Sequence, residues 1–474
     1  SSMKYPRNML GYGIETPDPK WPNDAKIAVQ FVINYEEGGE NCLLHGDKES
    51  EAFLSEIIGA QPWKNKRHWN MESLYEYGAR SGFWRLHNIF TSSRTPVTVY
   101  GVATALARSP VQVEAMKSAN WEIASHGLKW IDYKDKKRSE EKKDFYQAIK
   151  MHSAVTGSAP KGWYLGRCSE NTLSIVTSSG QLDYISDAYN DDLPYWYEEK
   201  GKYQLVIPYT LDVNDMRFAT NQGFNSGTQF FEYLKDTFDL LLDEGRNGSP
   251  KMMSIGLHCR LAGRPGRALA VKRFLGYINQ FPDVWIAKRI DIADHWREQH
   301  PPIHDKVDPF NLKKKAFLKT FGNVFENSEW LAEKVFEHEI SPIMNNSIGL
   351  QSAFLLQFRL TSKKSKLKIL LEHPDLAGRL QANQFLTEES KKEQQSAGLN
   401  KLTPSEIKLF ADLNKNYIHK FKHPFIKAVS GANKFEILAE FKKRFENTLE
   451  DEFLESCKEV EKIACMRINK IFNQ

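Results

Sequence analysis

Short β-rich runs alternate with helical stretches between residues 25 and 296, and this alternation restricts the chain to a few architectures. Repeated strand–helix units build a parallel sheet or barrel, because a strand reaches a parallel neighbour only through a crossover, usually a helix. The predicted strands are residues 27–34, 96–102, 121–125, 184–187, 204–208, 252–258 and 284–288. The predicted helices are residues 73–88, 111–118, 139–156, 169–179, 228–244 and 265–280. Seven strands favour closure into a barrel, where catalytic side chains gather at the carboxyl ends of the strands.

The pattern changes after residue 299, where Pro301, Pro302 and Pro309 interrupt the chain. Proline disfavours both a helix interior and a central strand, so residues 301–312 are predicted to form a linker. Amphipathic helices are predicted beyond it, at residues 313–325, 329–337, 345–360, 365–371, 388–397, 404–421, 433–446 and 451–471. The sequence therefore predicts an α/β domain at residues 1–300, a linker at 301–312 and an all-α domain at 313–474.

Charge and cysteine usage argue against several classes of partner. Lys and Arg number 65 against 60 Asp and Glu, and the net charge of +5 gives no reason to expect a nucleic-acid partner. No apolar run reaches the ~18–20 residues that a spanning helix needs, and no segment reads as a signal peptide. The five cysteines are scattered, without C-x-x-C spacing. We therefore expect reduced thiols, no membrane partner and a cytoplasmic location.

Polar clusters follow five of the predicted strands or loops of the α/β domain. Glu36 and Glu37 end the first strand, His126 follows the third, and Arg167 lies in a glycine-containing loop. An Asp- and Trp-containing segment follows at residues 187–196, and His258 ends a late strand. Adjacent acids often lie in a solvated loop, and a lone histidine is more often a satisfied core residue. Paired acids in one cleft, however, can differ in pKa and divide the roles of base and stabiliser. Because these clusters recur at successive strand ends, they predict one shared site.

The residues 5–300 resemble the polysaccharide deacetylase (NodB-like) family, and in particular its deacetylase-like allantoinases. The resemblance rests on the segments NYEEGGE (34–40), SHGLKWIDY (125–133), DDLPYW (191–196), VIPYTLDVNDMRF (206–218) and GLHCRLAGRP (256–265). It implies a deformed (β/α) barrel. It also implies that this domain hydrolyses the hydantoin ring of (S)-allantoin to allantoate.

One departure from the metal-dependent deacetylases concerns the metal. Those enzymes hold a divalent cation with an Asp and two His in an H-x-x-x-H pair, whereas here His126 is followed four residues later by Trp130. An indole offers an N–H donor and no lone pair to a metal. The resemblance to the allantoinases therefore implies no metal and no other cofactor. A metal-dependent carbohydrate N-deacetylase remains the alternative for this domain.

The resemblance also implies roles for the polar residues of this domain. Glu36 is the expected base, by its match to the catalytic acid of the deacetylases, and His258 is expected to protonate the leaving ring nitrogen. Glu37 and His126 are expected to position water or substrate. Arg167 is the candidate for binding the ureido or carbonyl oxygens of a flat ligand.

A second candidate site lies in the all-α domain. Ser390, Glu393, Gln394 and Ala397 recur at helical spacing and share one face, and His373 precedes them between two predicted helices. A polar helix face most often faces solvent, so this pattern alone leaves a solvated surface open.

Residues 312–472 resemble the 2-oxo-4-hydroxy-4-carboxy-5-ureidoimidazoline (OHCU) decarboxylase family. The matching segments are HPDLAG (373–378), SKKEQQSAGL (390–399), HPFIKAVSG (423–431) and EVEKIACMR (459–467). The resemblance implies that His373 and Glu393 are catalytic and that the other matched positions bind the substrate: Pro374, Ser390, Gln394, Phe425, Ile426, Lys427, Ala428, Val429 and Arg467. Ser328 stands where the family commonly has a proline before tryptophan.

Together, the two resemblances imply a bifunctional enzyme of urate breakdown with small ureido and imidazoline substrates. The all-α domain would decarboxylate OHCU to (S)-allantoin, and the α/β domain would open the ring of that product. We also expect a homo-oligomer. The competing interpretation is a metal-dependent carbohydrate N-deacetylase fused to a decarboxylase-like binding module.

Overall fold

The computed structural model describes residues 4–381 and 385–474. Contacts between residues divide the chain into a barrel unit, residues 14–303, and a helical unit made of residues 4–13 and 304–474. The sequence analysis placed residues 1–13 in the first domain. In the structure the Tyr5 N–H donates to the Ile340 carbonyl at 2.8 Å, and Lys4 forms a parallel β-bridge with Ile340. The first described residues therefore belong to the helical unit.

One sheet of nine strands runs through residues 14–303, all of which the structure describes. The strands are β1 (Ile27–Tyr35), β2 (Thr98–Gly101), β3 (Glu122–Ser125), β4 (Gly162–Trp163), β5 (Tyr184–Ile185), β6 (Tyr195–Glu199), β7 (Lys202–Val206), β8 (Lys251–His258) and β9 (Val284–Ile286). Their order is β6-β7-β5-β4-β3-β2-β1-β8, with β9 also paired to β1. Every pairing is parallel except β6 with β7. The end strands β6 and β8 do not pair with each other within residues 14–303, so the curled sheet is an incomplete barrel.

Strand β1 lies in the middle of this sheet, and each of its residues is buried. A near-continuous apolar run is typical of a parallel strand covered on both faces. Its register places Asn34 beside His258 of β8 and Tyr35 beside Gly101 of β2. Gly101 in turn lies beside Ser125 of β3. The ends of β1, β3 and β8 therefore lie close together at one edge of the sheet.

Two strands were missed by the sequence analysis. Strand β4 has two residues, and β6 forms an antiparallel hairpin with β7 through a turn at Lys200 and Gly201. Two residues carry no periodicity, and β6 is half-buried along its whole length, so neither has the alternation that identifies a strand. The predicted fold class, a deformed (β/α) barrel followed by an all-α domain, is confirmed.

Helices cover the sheet of the barrel unit: α1 (Trp69–Tyr77), α2 (Phe83–Ser92), α3 (Ala103–Ala107), α4 (Pro110–Ser118), α5 (Arg138–Thr156), α6 (Thr172–Ser179), α7 (Gly227–Arg246), α8 (Pro265–Ile278) and α9 (Arg289–Gln299). A π-helical turn, Gly78–Gly82, joins α1 to α2. Phe31 of β1 packs its ring 5.3 Å from Phe90 of α2 and 6.2 Å from Phe274 of α8. These contacts join the sheet to its helical layer.

The helical unit contains α10 (Lys314–Phe321), α11 (Glu329–His338), α12 (Ser347–Leu360), α13 (Lys363–Glu372), α14 (Gly378–Gln381), α15 (Glu388–Ser396), α16 (Pro404–Phe421), α17 (Lys434–Phe445) and α18 (Leu449–Phe472). One core contains stacked phenylalanines, including Phe325 and Phe358 at 5.1 Å. A second core surrounds Tyr417 of α16. Among the helices that the structure describes, none is long and apolar enough to cross a membrane.

Candidate active sites

The polar residues at the strand ends of the barrel unit surround one cavity of about 190 Å³. Glu36, His126, Arg167 and His258 line it, as the sequence predicted, whereas Glu37 is buried beside the cavity and does not line it. The other lining residues are Asn34, Phe53, Leu54, Trp130, Tyr164, Gly166, Tyr189, Tyr209, Leu211, Asn214 and Met216. The cavity therefore combines a small charged centre with aromatic walls.

Glu36 is the centre of the charged group. Its Oε2 lies 2.9 Å from Nε2 of His126 and 3.4 Å from Nε2 of His258, and its Oε1 accepts a 2.7 Å bond from Arg260. Burial alone would raise the pKa of Glu36. The charges of His258 and Arg260 and the histidine hydrogen bonds outweigh burial, and the pKa lies well below its usual range. Glu36 is therefore ionised at neutral pH.

His258 is held as an imidazolium by two acids. Its Nδ1 lies 2.7 Å from Oδ1 of Asp215, and its backbone N–H donates to Oδ2 of the same carboxylate at 2.7 Å. Burial would lower the pKa of His258, but the charges of Glu36 and Asp215 raise it to about 9. His258 can therefore donate a proton at neutral pH. Asp215 lies in the matching segment at residues 206–218, but the sequence analysis did not identify it as a site residue.

His126 lies between the Tyr164 carbonyl and the Glu36 carboxylate. His126 Nδ1 lies 2.8 Å from the Tyr164 carbonyl, which only accepts, so this nitrogen carries a hydrogen. Its Nε2 lies 2.9 Å from Oε2 of Glu36. The two contacts fix the orientation of the His126 ring against Glu36.

Arg260 joins the two adjacent acids and was missed by the sequence analysis. It donates to Glu36 at 2.7 Å, to Glu37 at 2.8 Å and to the Leu54 carbonyl at 2.7 Å. Its guanidinium also lies 4.2 Å from the centre of the Tyr75 ring. Burial, followed by the Glu36 charge, raises the pKa of Glu37 despite the opposing charge of Arg260. Glu37 thus helps to hold Arg260 in place behind the cavity.

The π-helical turn makes room for this ion pair. A Cβ on Gly78 would lie 2.8 Å from Cγ of Glu37 and 2.9 Å from the backbone nitrogen of Arg260, closer than real side chains allow. Single π turns occur often at functional sites. Here the turn places Gly78, which has no side chain, directly against the buried Glu37.

Arg167 lies where the sequence predicted a ligand-binding cation. Its guanidinium is 4.4 Å from the centre of the Trp130 ring, and it donates to the Trp130 carbonyl at 2.8 Å. Its buried Nε has no hydrogen-bond partner among the described residues. Buried polar groups normally find a partner, so Nε is available to a ligand oxygen.

In the helical unit, His373 lines a second cavity at the carboxyl end of α13. Its Nδ1 lies 2.9 Å from the Ile369 carbonyl, so Nδ1 carries the hydrogen and Nε2 the lone pair. Nε2 has no partner among the described residues. Burial and then the Arg467 charge lower the pKa of His373 to about 4, against the effect of the Ile369 bond. His373 is therefore a neutral acceptor.

Helix α15 presents its predicted face to this cavity. Ser390, Glu393 and Gln394 line it, and Ala397 is buried on the same side. The Gln394 Oε1 accepts from the backbone N–H of Ala377 at 3.0 Å, so this side chain also holds the turn after Pro374. The face predicted from spacing is therefore a cavity wall.

Arg467 of α18 closes the other side. It donates to Glu393 at 2.7 Å through Nε, while its Nη2 lies 2.8 Å from Oε2 of Glu326 and donates to Ser390 at 3.1 Å. Glu326 is buried and does not line the cavity, and the sequence analysis did not single it out. The one feature of the sequence near Glu326 was Ser328, two residues later, which stands where the family commonly has a proline.

The remaining predicted residues come from the segment before α17. Pro374, Phe425, Ile426, Lys427 and Val429 line the cavity, as the resemblance implied. Ala428 does not line it, and its backbone N–H donates to Glu459 at 3.2 Å. Leu376 and Ile463 complete the lining.

Comparison with known proteins gives a match for each unit. The polysaccharide deacetylase family model matches residues 70–182, and the OHCU decarboxylase family model matches residues 311–469. A crystal structure of PuuE allantoinase has 51% sequence identity and a TM-score of 0.63, covering 64% of this chain and all of that chain (100%).

Several curated relatives match the helical unit. An OHCU decarboxylase of Halalkalicoccus jeotgali is 32% identical over 158 residues, which are 33% of this chain and 86% of that protein. A uric acid degradation bifunctional protein of Bacillus sp. (strain TB-90) is 35% identical over 163 residues, 34% of this chain. This match spans only 31% of the Bacillus protein.

The deacetylase likeness implies a divalent metal, and the residues present do not fit one. Trp130 occupies the place of the second histidine ligand, and the Arg260 guanidinium already bridges Glu36 and Glu37. A second cation beside that guanidinium would be repelled. Within residues 4–381 and 385–474, no group of three or more His, Cys, Asp or Glu side chains is placed to hold a metal ion.

Proposed function

This chain belongs to the polysaccharide deacetylase family through its barrel unit and to the OHCU decarboxylase family through its helical unit, and on that premise we propose a bifunctional enzyme of urate breakdown. The helical unit decarboxylates OHCU to (S)-allantoin. The barrel unit hydrolyses the hydantoin ring of (S)-allantoin to allantoate. The carbohydrate N-deacetylase alternative has no support from the site, because the acids bind a guanidinium.

In the barrel unit, ring opening needs a base for water, a donor for the developing oxyanion and an acid for the leaving nitrogen. Ionised Glu36 is the base; the substrate must loosen one histidine contact so that Oε2 can accept the water proton. His258 is the acid, since it is protonated and held by Asp215. His126 positions the water, and the free Nε of Arg167 binds a carbonyl or ureido oxygen.

In the helical unit, decarboxylation leaves an electron pair that the carbonyl and imine-like groups of the ring can delocalise. The lone pair of His373 Nε2 accepts from the substrate hydroxyl. Glu393, whose pKa is raised by burial against the opposing charge of Arg467, protonates one face of the product. One-sided protonation explains a single product hand.

The observation that carries the proposal is that both lining sets occur in one chain, each pairing a base with an acid whose pKa is raised. A turnover assay with OHCU and with allantoin on the purified chain tests it directly. His373→Asn should abolish decarboxylation and leave allantoin hydrolysis nearly unchanged. Failure of the wild-type chain to turn over either substrate contradicts the proposal.

We also propose that neither reaction needs a metal or an organic cofactor, which the Arg260 bridge supports for the barrel unit. Allantoin hydrolysis should then survive exhaustive chelation, with metal content checked by plasma emission spectrometry. Loss of hydrolysis that one added divalent metal restores would refute this part.

We further propose a homo-oligomer in a reducing compartment. All five cysteines are free, which supports the compartment. Light scattering on the purified chain measures the oligomeric state, and a monomer at all concentrations contradicts the proposal.

A further inference from the structure

In the second cavity, the Arg467 guanidinium lies between two carboxylates that differ in position. Glu393 lines the cavity, and its side chain is 19% exposed. Glu326 lies behind the cavity, and its side chain is 2% exposed. Arg467 therefore pairs with one acid that can contact a ligand, Glu393, and with one that cannot, Glu326.

The hydrogen bonds of the two acids differ as well. Glu326 accepts from Thr387 at 2.6 Å through Oε1 and from Ser390 at 2.8 Å through Oε2, in addition to the Arg467 contact. Glu393 is bonded to Arg467, at 2.7 Å through Oε1 and 3.4 Å through Oε2. Several donors to one carboxylate favour its ionised form. The geometry therefore places the negative charge that balances Arg467 on Glu326.

We propose that Glu326 is a positioning residue that neutralises Arg467, so that Glu393 meets the bound substrate as a protonated carboxylic acid. The inference deepens the proposed decarboxylase function and rests on it. The bond from the ring carbon to the carboxylate breaks, CO₂ leaves, and the electron pair stays on the ring. Glu393 gives its proton to that pair, becomes a carboxylate, and regains a proton from solvent before the next turnover.

The charges around Glu393 are consistent with this division. Arg467 acts on it from α18, Glu326 from the segment after α10, and Glu389 from its own helix. His373 lies in the same cavity wall but is neutral. Lys427 also lines the cavity, but it pairs with Glu440 at 2.6 Å. The pKa of Glu326 is lowered, because Arg467 and the two hydroxyls outweigh burial, while that of Glu393 is raised.

The test is the pH dependence of OHCU decarboxylation by the full chain carrying Glu326→Gln. With Glu326 neutral, the whole charge of Arg467 bears on Glu393 and lowers its pKa. The alkaline limb of kcat/KM should move down by about one pH unit or more. Glu326→Asp keeps the charge and should keep the wild-type limb, even at a lower rate. Glu389→Gln, which removes an acid that does not bind Arg467, is the matched control.

A second measurement reads the proton itself. The infrared difference spectrum between the wild-type chain and Glu393→Gln should show the carbonyl stretch of one protonated carboxyl. The difference spectrum between the wild-type chain and Glu326→Gln should show the same band. Far-UV circular dichroism and allantoin hydrolysis by the same preparations check that the variants fold.

Two outcomes would overturn the inference. One is a Glu326→Gln chain that keeps the wild-type limb, whatever its rate; the other is a wild-type chain without the Glu393 band, which needs no variant at position 326. If the wild-type chain does not decarboxylate OHCU at all, the proposed function fails instead.

Discussion

At the scale of single residues, the Arg260 guanidinium is the side chain on which the barrel site depends most. It is fully buried between two acids. Removing one partner of a buried ion pair leaves an uncompensated charge and typically costs about 3–5 kcal/mol. We expect Arg260→Met to lower the free energy of unfolding by about this amount, and to reduce allantoin hydrolysis at least tenfold because Glu36 gains a proton. Denaturant unfolding and initial rates measure the two effects.

Two further variants separate this effect from a general loss of charge. Glu37→Gln added to Arg260→Met removes one of the two stranded acids and should restore part of the stability. Arg246→Met breaks a half-exposed pair with Asp283 and should cost far less than Arg260→Met, because solvent screens such a pair. Equal destabilisation by Arg246→Met and Arg260→Met would contradict the assignment.

The pH dependence of allantoin hydrolysis follows from Glu36 and His258. The base must be ionised, so activity falls with decreasing pH only below the ordinary range of a glutamate, since the pKa of Glu36 is lowered. The acid must be protonated, so activity falls as pH rises through about 9. We expect a broad plateau across neutral pH, and an alkaline limb that moves to lower pH in Asp215→Asn. An alkaline limb near 6.5 in the wild-type chain would contradict the role of His258.

Site residues that lie directly at a strand end could be predicted from the sequence. Site residues that lie outside the strands and reach the site through tertiary contacts could not. Glu36 and His258 follow apolar runs, so their position at the strand ends is readable. Arg260 comes two residues after β8 ends, where strand periodicity no longer states the direction of a side chain. Glu326 reaches Arg467 across a separation in sequence that no local pattern encodes.

At the scale of elements, the π-helical turn before α2 depends on its glycines. A Cβ on Gly82 would lie 2.0 Å from the Cys259 carbonyl oxygen, a backbone atom that cannot rotate away. Gly82→Ala should therefore destabilise the chain by about 1–3 kcal/mol through overpacking. Gly276→Ala, in α8 with nothing within 4 Å, is the matched control and should stabilise by about 0.5–1 kcal/mol. Thermal unfolding compares them, and stabilisation by both would contradict the steric argument.

The same turn shows that helix prediction from local sequence misses boundaries that tertiary contacts determine. The sequence predicts one helix at residues 73–88, and the structure has α1, the π turn and α2 in succession from residue 69 to 92. The turn exists because two glycines contact the segment around Cys259, which is a tertiary cause. By contrast, the start of α16 is local: Thr403 and Glu406 form a capping box, with Pro404 in the first turn. That start was predicted and is confirmed.

At the scale of the whole molecule, the two proposed reactions are connected by the handedness of allantoin. OHCU also decarboxylates without an enzyme, and free solution protonates either face, so the spontaneous product is racemic. We expect the full chain to consume about half of racemic allantoin, the (S) form, but to convert nearly all OHCU to allantoate. Chiral chromatography measures both. Consumption of the whole racemate, faster than spontaneous racemisation, would contradict the proposed hand-over.

The β-bridge between Lys4 and Ile340 makes the barrel unit an insertion within the helical unit. Tyr5 and Ile340 are 335 positions apart (340 − 5), so during synthesis the first partner of this contact leaves the ribosome long before the second. At about 5–20 residues per second, the wait lasts roughly 20–70 s. The barrel unit is complete 37 positions (340 − 303) before Ile340 is made, so it can begin to fold while Lys4 and Tyr5 still await their partner.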